Sequence, residues 1–170
     1  MKNGVHTIRG GFTSATNPAD ARRYILDNGD FEKNMRIASF EVFPIGTDPT
    51  NPEDFGNTAV MVAIGTSAAG VIPTASTTTP EQYNTALNLR PSDSRQIGWG
   101  IITPSMGLMH TILDPDHILP GDLYINAWGI SSGGSLEVIK YPIGFIIRME
   151  QVKSSGTEAL LYQIKENQLD

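Results

Sequence analysis

The densest run of chemically active side chains is Asp114-Pro115-Asp116-His117, followed by Asp122. Two carboxylates and an imidazole at this spacing could hold a hard cation or zinc. The segment lacks the alternating Asp/Asn/Gly ladder and closing Glu of a calcium loop, and residues flanking a proline point in different directions. Asp and Pro also build turns, in which an Asp or His side chain caps backbone amides. The turn is the preferred reading, and no metal ligand is assigned.

Nucleophilic catalysis by Ser or Thr needs a histidine base, and the chain offers only His6, His110 and His117. No Gly-x-Ser-x-Gly elbow occurs, and Ser131-Ser132-Gly133-Gly134 reads as a turn rather than an oxyanion hole. A carboxylate pair with one raised pKa requires an acid inside an apolar strand. Glu41 instead alternates outward, and Glu150 lies where the chain leaves its strand. Neither a Gly-x-x-x-x-Gly-Lys phosphate loop nor a Gly-x-Gly-x-x-Gly after a strand is present. No catalytic residue and no cofactor are assigned, and the chain is read as a non-enzyme. Trp99, Trp128 and Tyr124 could form a sugar-stacking platform, although tryptophans of β-rich domains more often sit in cores or interfaces.

These side chains stand on a chain of 170 residues with 17 Gly, 11 Pro and no Cys. That length suits one domain with a sizeable core. The absence of cysteine excludes disulfide scaffolds, thiolate zinc sites, iron–sulfur clusters and cysteine nucleophiles. The formal charge of −6 is unevenly placed: residues 1–40 carry net +2, residues 41–135 net −7 and the remainder net −1. An acidic body without a Lys/Arg stripe among aromatics repels phosphate backbones, so no nucleic acid is expected over the main body, and only the N-terminal arm could touch a polyanion. The N-terminus has no apolar run of signal-peptide length, and no stretch reaches the ~20 apolar residues of a membrane span. No export signal and no membrane partner are expected.

The pattern is strand-rich. Arg23–Leu26 and Met35–Ile45 flank Asn28-Gly29, a strong turn pair, and read as a hairpin. In the second strand Arg36, Ala38, Phe40 and Val42 share one face, with Ser39 and Glu41 on the other. Asn17-Pro18 could open a helix. Gly46–Gly56 has loop chemistry, and Thr58–Ile64 is an unbroken apolar run that fits a strand covered on both sides. Residues 65–95 are the least periodic, with a helical turn expected at Pro80–Tyr83 behind a Thr79 cap. Gln96–Thr103, Leu108–Leu113 and Leu123–Trp128 follow as strands. In the last, Leu123, Ile125 and Ala127 oppose Tyr124 and Trp128. Leu136–Val152 reads as one long strand interrupted at Pro142 and Gly144. An amphipathic helix is expected over about 156–167, with Leu160, Leu161 and Ile164 on its inner stripe. Together these give an all-β fold: an antiparallel β-sandwich, jelly-roll-like, with a C-terminal helix. Residues 1–15 are expected as an N-terminal arm and 16–170 as the single domain.

Gly65–Thr79 and Gln96–Thr111 carry no charged side chain. Charge depletion alongside Trp, Tyr and Met is the composition of a protein–protein interface core, which points to burial by neighbouring subunits, with the N-terminal arm of residues 1–15 and residues 65–95 expected against neighbours. Arg95-Gln96-Ile97-Gly98-Trp99-Gly100, Leu113–Ile118 running into Asp122–Ile125, and the Tyr141–Glu150 strand with the helix after it resemble small uncharacterised virion structural proteins of marine phages and viruses. The resemblance spans roughly residues 90–170 and, more loosely, 22–45. It implies a virion location and a capsid, decoration or spike-base subunit. Its partners would be copies of itself and other virion proteins. It carries no catalytic motif. The alternative from the residues is a carbohydrate-binding β-sandwich module using the surface aromatics.

Overall fold

The computed structural model describes residues 5–13, 16–26, 33–45, 59–73, 95–103, 108–114, 117–119, 121–131 and 136–153. Ten strands and one short helix make up the regular structure of these residues: β1 (Val5–Phe12), β2 (Arg22–Tyr24), β3 (Lys33–Pro44), β4 (Ala59–Gly65), α1 (Ala68–Val71), β5 (Gln96–Thr103), β6 (Leu108–Leu113), β7 (Ile118–Leu119), β8 (Leu123–Ile130), β9 (Leu136–Glu137) and β10 (Ile143–Lys153). The fold is all-β, and every strand pairing is antiparallel. The expected C-terminal helix, the Asn28-Gly29 turn, the Gly46–Gly56 loop and the Pro80–Tyr83 turn lie outside the described residues.

The strands form two sheets. One has the order β1-β10-β3-β7; the other runs β2-β8-β4-β5-β6, with β9 pairing the far end of β8. The main buried cluster takes side chains from both sheets. Phe40 and Val42 of β3 and Phe145, Ile147 and Met149 of β10 meet Val60, Val62 and Ile64 of β4 and Leu123, Ile125 and Ala127 of β8. At Gly100 the two sheets come close: a Cβ there would stand 2.9 Å from Val42 Cγ2. A larger residue would push the sheets apart.

β4 fits its sequence pattern. Met61 to Ile64 are all under 3% exposed, because β8 and β5 flank the strand and both of its faces are covered. Val60, Val62 and Ile64 join the main cluster, while Met61 and Ala63 face the opposite way with Val71, Trp128 and Ile130. β8 divides as its alternation predicts, with Leu123, Ile125 and Ala127 in the main cluster and Trp128 in the second.

Several expectations are corrected. Arg22–Tyr24 pairs with β8, not with β3, so the expected hairpin does not form. A turn pair favours a local reversal, but β3 is held between β10 and β7 in the other sheet. Leu136–Val152 is two strands in different sheets, β9 on β8 and β10 between β1 and β3. Pro142 stands at the crossing, where it needs no N–H for a ladder and its carbonyl accepts from Ile45 N (2.9 Å). Within residues 1–15, Val5–Phe12 is a strand paired along its length with β10, and Phe12 is buried. Asn17-Pro18 forms a turn, in which Asn17 Oδ1 accepts from Ala19 N (3.0 Å).

The single face expected for Arg36, Ala38, Phe40 and Val42 is also broken. Met35, Ile37, Phe40 and Val42 are the buried hydrophobic residues of β3, whereas Ala38 is exposed. The register against β10 shifts there: Ser39 opposes Arg148 and Ile37 opposes Met149, which leaves Ala38 as the extra residue of a bulge. A bulge moves the inward set from one parity to the other. Arg36 therefore lies on the outer face, where it pairs with Glu150 (Nε–Oε1 3.0 Å). Deleting Ala38 would return β3 to strict alternation and turn either Met35 and Ile37 or Phe40 and Val42 out of the core. The expected result is loss of cooperative urea unfolding, while Ala38→Ser stays within about 0.5 kcal/mol of wild type.

Candidate functional site

The outer face of the β2-β8-β4-β5-β6 sheet gathers most of the polar side chains that are buried. Asn126 projects there from the middle of β8, between core residues Ile125 and Ala127, and is fully buried. Its Nδ2 donates to the carbonyls of Pro18 (2.6 Å) and Val71 (3.3 Å), and its Oδ1 accepts from Ala127 N (2.8 Å). Gln96, at the start of β5, donates from Nε2 to Gly70 O (2.6 Å) and accepts Trp99 Nε1 at Oε1 (2.5 Å). Two amides thus fasten two covering segments, the Pro18 turn and the Ser67–Ile72 turn of helix, over Met61, Ala63 and Trp128. Ser67 caps that helix by accepting from Gly70 N (3.2 Å). The cover presses so closely that a Cβ on Gly65 would lie 2.9 Å from Val71 Cγ1.

The three aromatics of the alternative stacking platform lie on this face. Trp128 is 1% exposed and belongs to the buried cluster, so its ring is not open to a stacking ligand. Trp99 and Tyr124 are half-buried. The amides Gln96 and Asn126 were not singled out by residue type. A lone amide within an apolar strand such as Leu123–Trp128 was the signal that could have found Asn126, because a buried amide must find partners.

The described members of the acidic run, Asp114, His117 and Asp122, form no metal-holding group. Asp122 is bound by Arg23, whose Nε and Nη2 lie 2.6 and 2.5 Å from Oδ2. This contact joins β2 to the start of β8. Asp114 ends β6, with its N–H donating to Ile97 O (2.8 Å), and its carboxylate is 3.9 Å from His117 Nδ1. Asp116 lies outside the described residues, as do residues 132–135 of the expected serine–glycine turn. Among the described residues no three His, Asp or Glu side chains are grouped to hold a metal ion. The three histidines stand on separate elements, with His6 exposed on β1, His110 exposed on β6 and His117 partly buried before β7. Glu41 is on the outer face of the other sheet, where Arg148 Nη1 reaches its Oε1 at 2.8 Å.

No helix among the described residues is long and apolar enough to cross a membrane. No protein-family model matches the chain, and no curated protein matches it.

Two measurements follow from this geometry. Asn126→Ala leaves two covering carbonyls without their donor, and a loss of about 1–3 kcal/mol is expected in chemical denaturation. Burial lowers the pKa of His117 below its ordinary 6.5, with the Asp114 charge pulling the other way. The unfolded chain therefore binds this proton more readily than the folded one, so stability is full above about pH 6.5 and declines as pH falls below it. His117→Gln should remove that share of the slope, seen as a flatter midpoint-against-pH curve between neutral and mildly acidic pH.

Proposed function

We propose that the chain is a non-enzymatic structural subunit of a virus particle, a capsid, decoration or spike-base protein, built as a jelly-roll-like β-sandwich that assembles with copies of itself and with other virion proteins. The observation that carries this reading is the nesting of strand pairs. β1 pairs with β10, β2 with β8, β3 with β7 and β4 with β5. Those pairs lie one inside the next, as in a single long antiparallel ribbon. Adding the β10–β3 and β8–β4 pairs rolls the ribbon into two sheets with the orders β1-β10-β3-β7 and β2-β8-β4-β5. β6 and β9 are additions at the margins. That order matches the double Greek key of the jelly rolls found in viral capsid and lectin domains, which is what supports the reading. The step from fold to role is an analogy, and two features of this chain support it.

First, the buried amides Gln96 and Asn126 on the covered sheet face are engaged in fastening the chain's own segments. Second, the charge-free stretch Gln96–Thr111 includes β5 and most of β6 at the margin of a sheet, where neighbours are met. The covering of sheet face by Gly65–Pro73 accounts for part of the other charge-free stretch; residues 74–79 lie outside the described residues. Removing residues 1–15 is not a clean test of assembly, since it would strip β1 and the buried Phe12 from the fold.

The test is the absolute mass of the purified protein by light scattering across a concentration series, with negative-stain images of the same fractions. Rings, trimers or larger symmetric particles are expected. A monomer of 18.4 kDa at every concentration would overturn the assembly reading. A tryptophan fluorescence response to a glycan panel would then favour the carbohydrate-binding alternative, with Trp99 and Tyr124 as its remaining aromatics.

A further inference from the structure

We infer that a second copy of this chain adds to the free edge of β6, extending the six-stranded sheet across a two-fold axis. This rests on the self-assembly reading and names the contact that it requires. Among the described residues β6 pairs only with β5, so its other side presents backbone donors and acceptors. Exposed edges are normally protected by charge, proline or shortness. The remaining edges have such protection. β7 and β9 are two residues long, and β9 includes Glu137. β2 is three residues long and carries Arg22 and Arg23, while β1 carries Arg9 and the Gly10-Gly11 pair. β6, six residues reading Leu-Met-His-Thr-Ile-Leu, has no Lys, Arg, Asp, Glu or Pro.

Its side chains point the same way. Met109 and Ile112 are 59% and 49% exposed, one beside Ile102 on the core-facing side and the other beside Trp99 on the opposite side. Apolar surface therefore flanks the open backbone on both faces of the sheet. Such a margin suits an added strand rather than water.

Charge selects the occupant and its direction. Two copies each bring a formal −6, so they approach best where neither carries a carboxylate. β6 is such a segment, bounded at its C-terminal end by exposed Asp114. Antiparallel pairing places the two Asp114 side chains at opposite ends of the joint, while parallel pairing would set them side by side. About a two-fold normal to the sheet, opposed residues must share a face, so their numbers sum to an even value. The axis then passes through a residue, His110 or Thr111 at the middle of the strand, and either choice brings the two central segments together.

The chain has no cysteine, so His110→Cys introduces a unique thiol at the exposed centre of the edge. Treated with a short bismaleimide, this full-length variant should give a covalent dimer. Val138→Cys, exposed away from this edge, should give far less at the same concentration. Ile112→Lys, which puts a charge on the apolar margin of each copy at the joint, should lower the mass measured by sedimentation velocity by at least one assembly step while its circular dichroism stays that of wild type. Unchanged mass for Ile112→Lys, or crosslinking of His110→Cys no greater than that of Val138→Cys, overturns the edge contact. If wild type remains assembled in that case, the self-assembly reading stands without it. Wild type that is monomeric at every concentration overturns both. Should Ile112→Lys not fold, the crosslink alone decides.

Discussion

The pairing of β10 with β3 is the contact on which the other strands depend. Ile143–Lys153 runs antiparallel to Lys33–Pro44 along the whole of its length, and its other side carries β1. Phe145, Ile147 and Met149 of β10 are buried with Phe40, Val42 and Ile37 of β3 in the cluster that the opposite sheet closes. Without β10, β1 has no partner in the sheet and Phe12, 5.7 Å from Phe145 between ring centroids, loses its neighbour. The strand joining the first and third strands of its sheet is thus the last described strand of the chain. Few of these contacts are local in sequence, and loop closure must precede their reward. Stability in such a fold comes late and all together.

That dependence explains why one extra residue in β3 matters. β10 offers an inward row at Ile143, Phe145, Ile147 and Met149 with a strict period of two, all 2% exposed or less. β3 meets it with Met35 and Ile37, then Phe40 and Val42, and the change of parity is absorbed at Ala38. A small side chain at the bulge needs no partner when it is turned to solvent. The outer face of the same sheet is laced by Arg36–Glu150 and Arg148–Glu41. These exposed ion pairs contribute little energy each, but they set opposite charges next to each other on β3 and β10 and disfavour a slipped register.

Elements governed by a simple period were legible in the sequence. β4 showed itself as an unbroken apolar run, β8 as two alternating faces, and β5 and β6 by their bounds. What escaped depends on contacts between distant segments. Asn28-Gly29 encodes a tendency to reverse the chain, not the sheet that each flanking strand joins. Pro142 marked a break, yet whether the chain resumes in the same sheet is decided by which edge remains open. Ala38 looks like an inward residue because the pattern is read without a bulge. Trp128 cannot announce its burial, since the cover over it comes from Pro18 and Val71, far away in sequence and held by Asn126. Of the acidic run read as a turn, Pro115-Asp116 lie outside the described residues, and Asp114 continues the pairing of β6 with β5 through its bond to Ile97. The Arg23–Asp122 pair, 99 residues apart, was not legible at all.

The same organisation determines where such a molecule can meet others. The inner faces of both sheets are consumed by one core. The outer face of the four-stranded sheet carries charged pairs, and the outer face of the other is partly sealed by the chain's own segments through two amides. Specific contact then falls to margins and loops, where backbone groups remain open and side chains need not satisfy the core. On such margins, charge repels by default for a chain of net −6, so an uncharged stretch is informative in a way that an uncharged core strand is not. Gln96–Thr103 lacks charge because five of its eight residues are buried and the other three half-buried inside the sheet. Leu108–Leu113 lacks charge while Met109 and Ile112 face water. Among the described residues, burial within the chain accounts for the first stretch and leaves the second unaccounted for, which is the physical reason to look for its cover in another molecule.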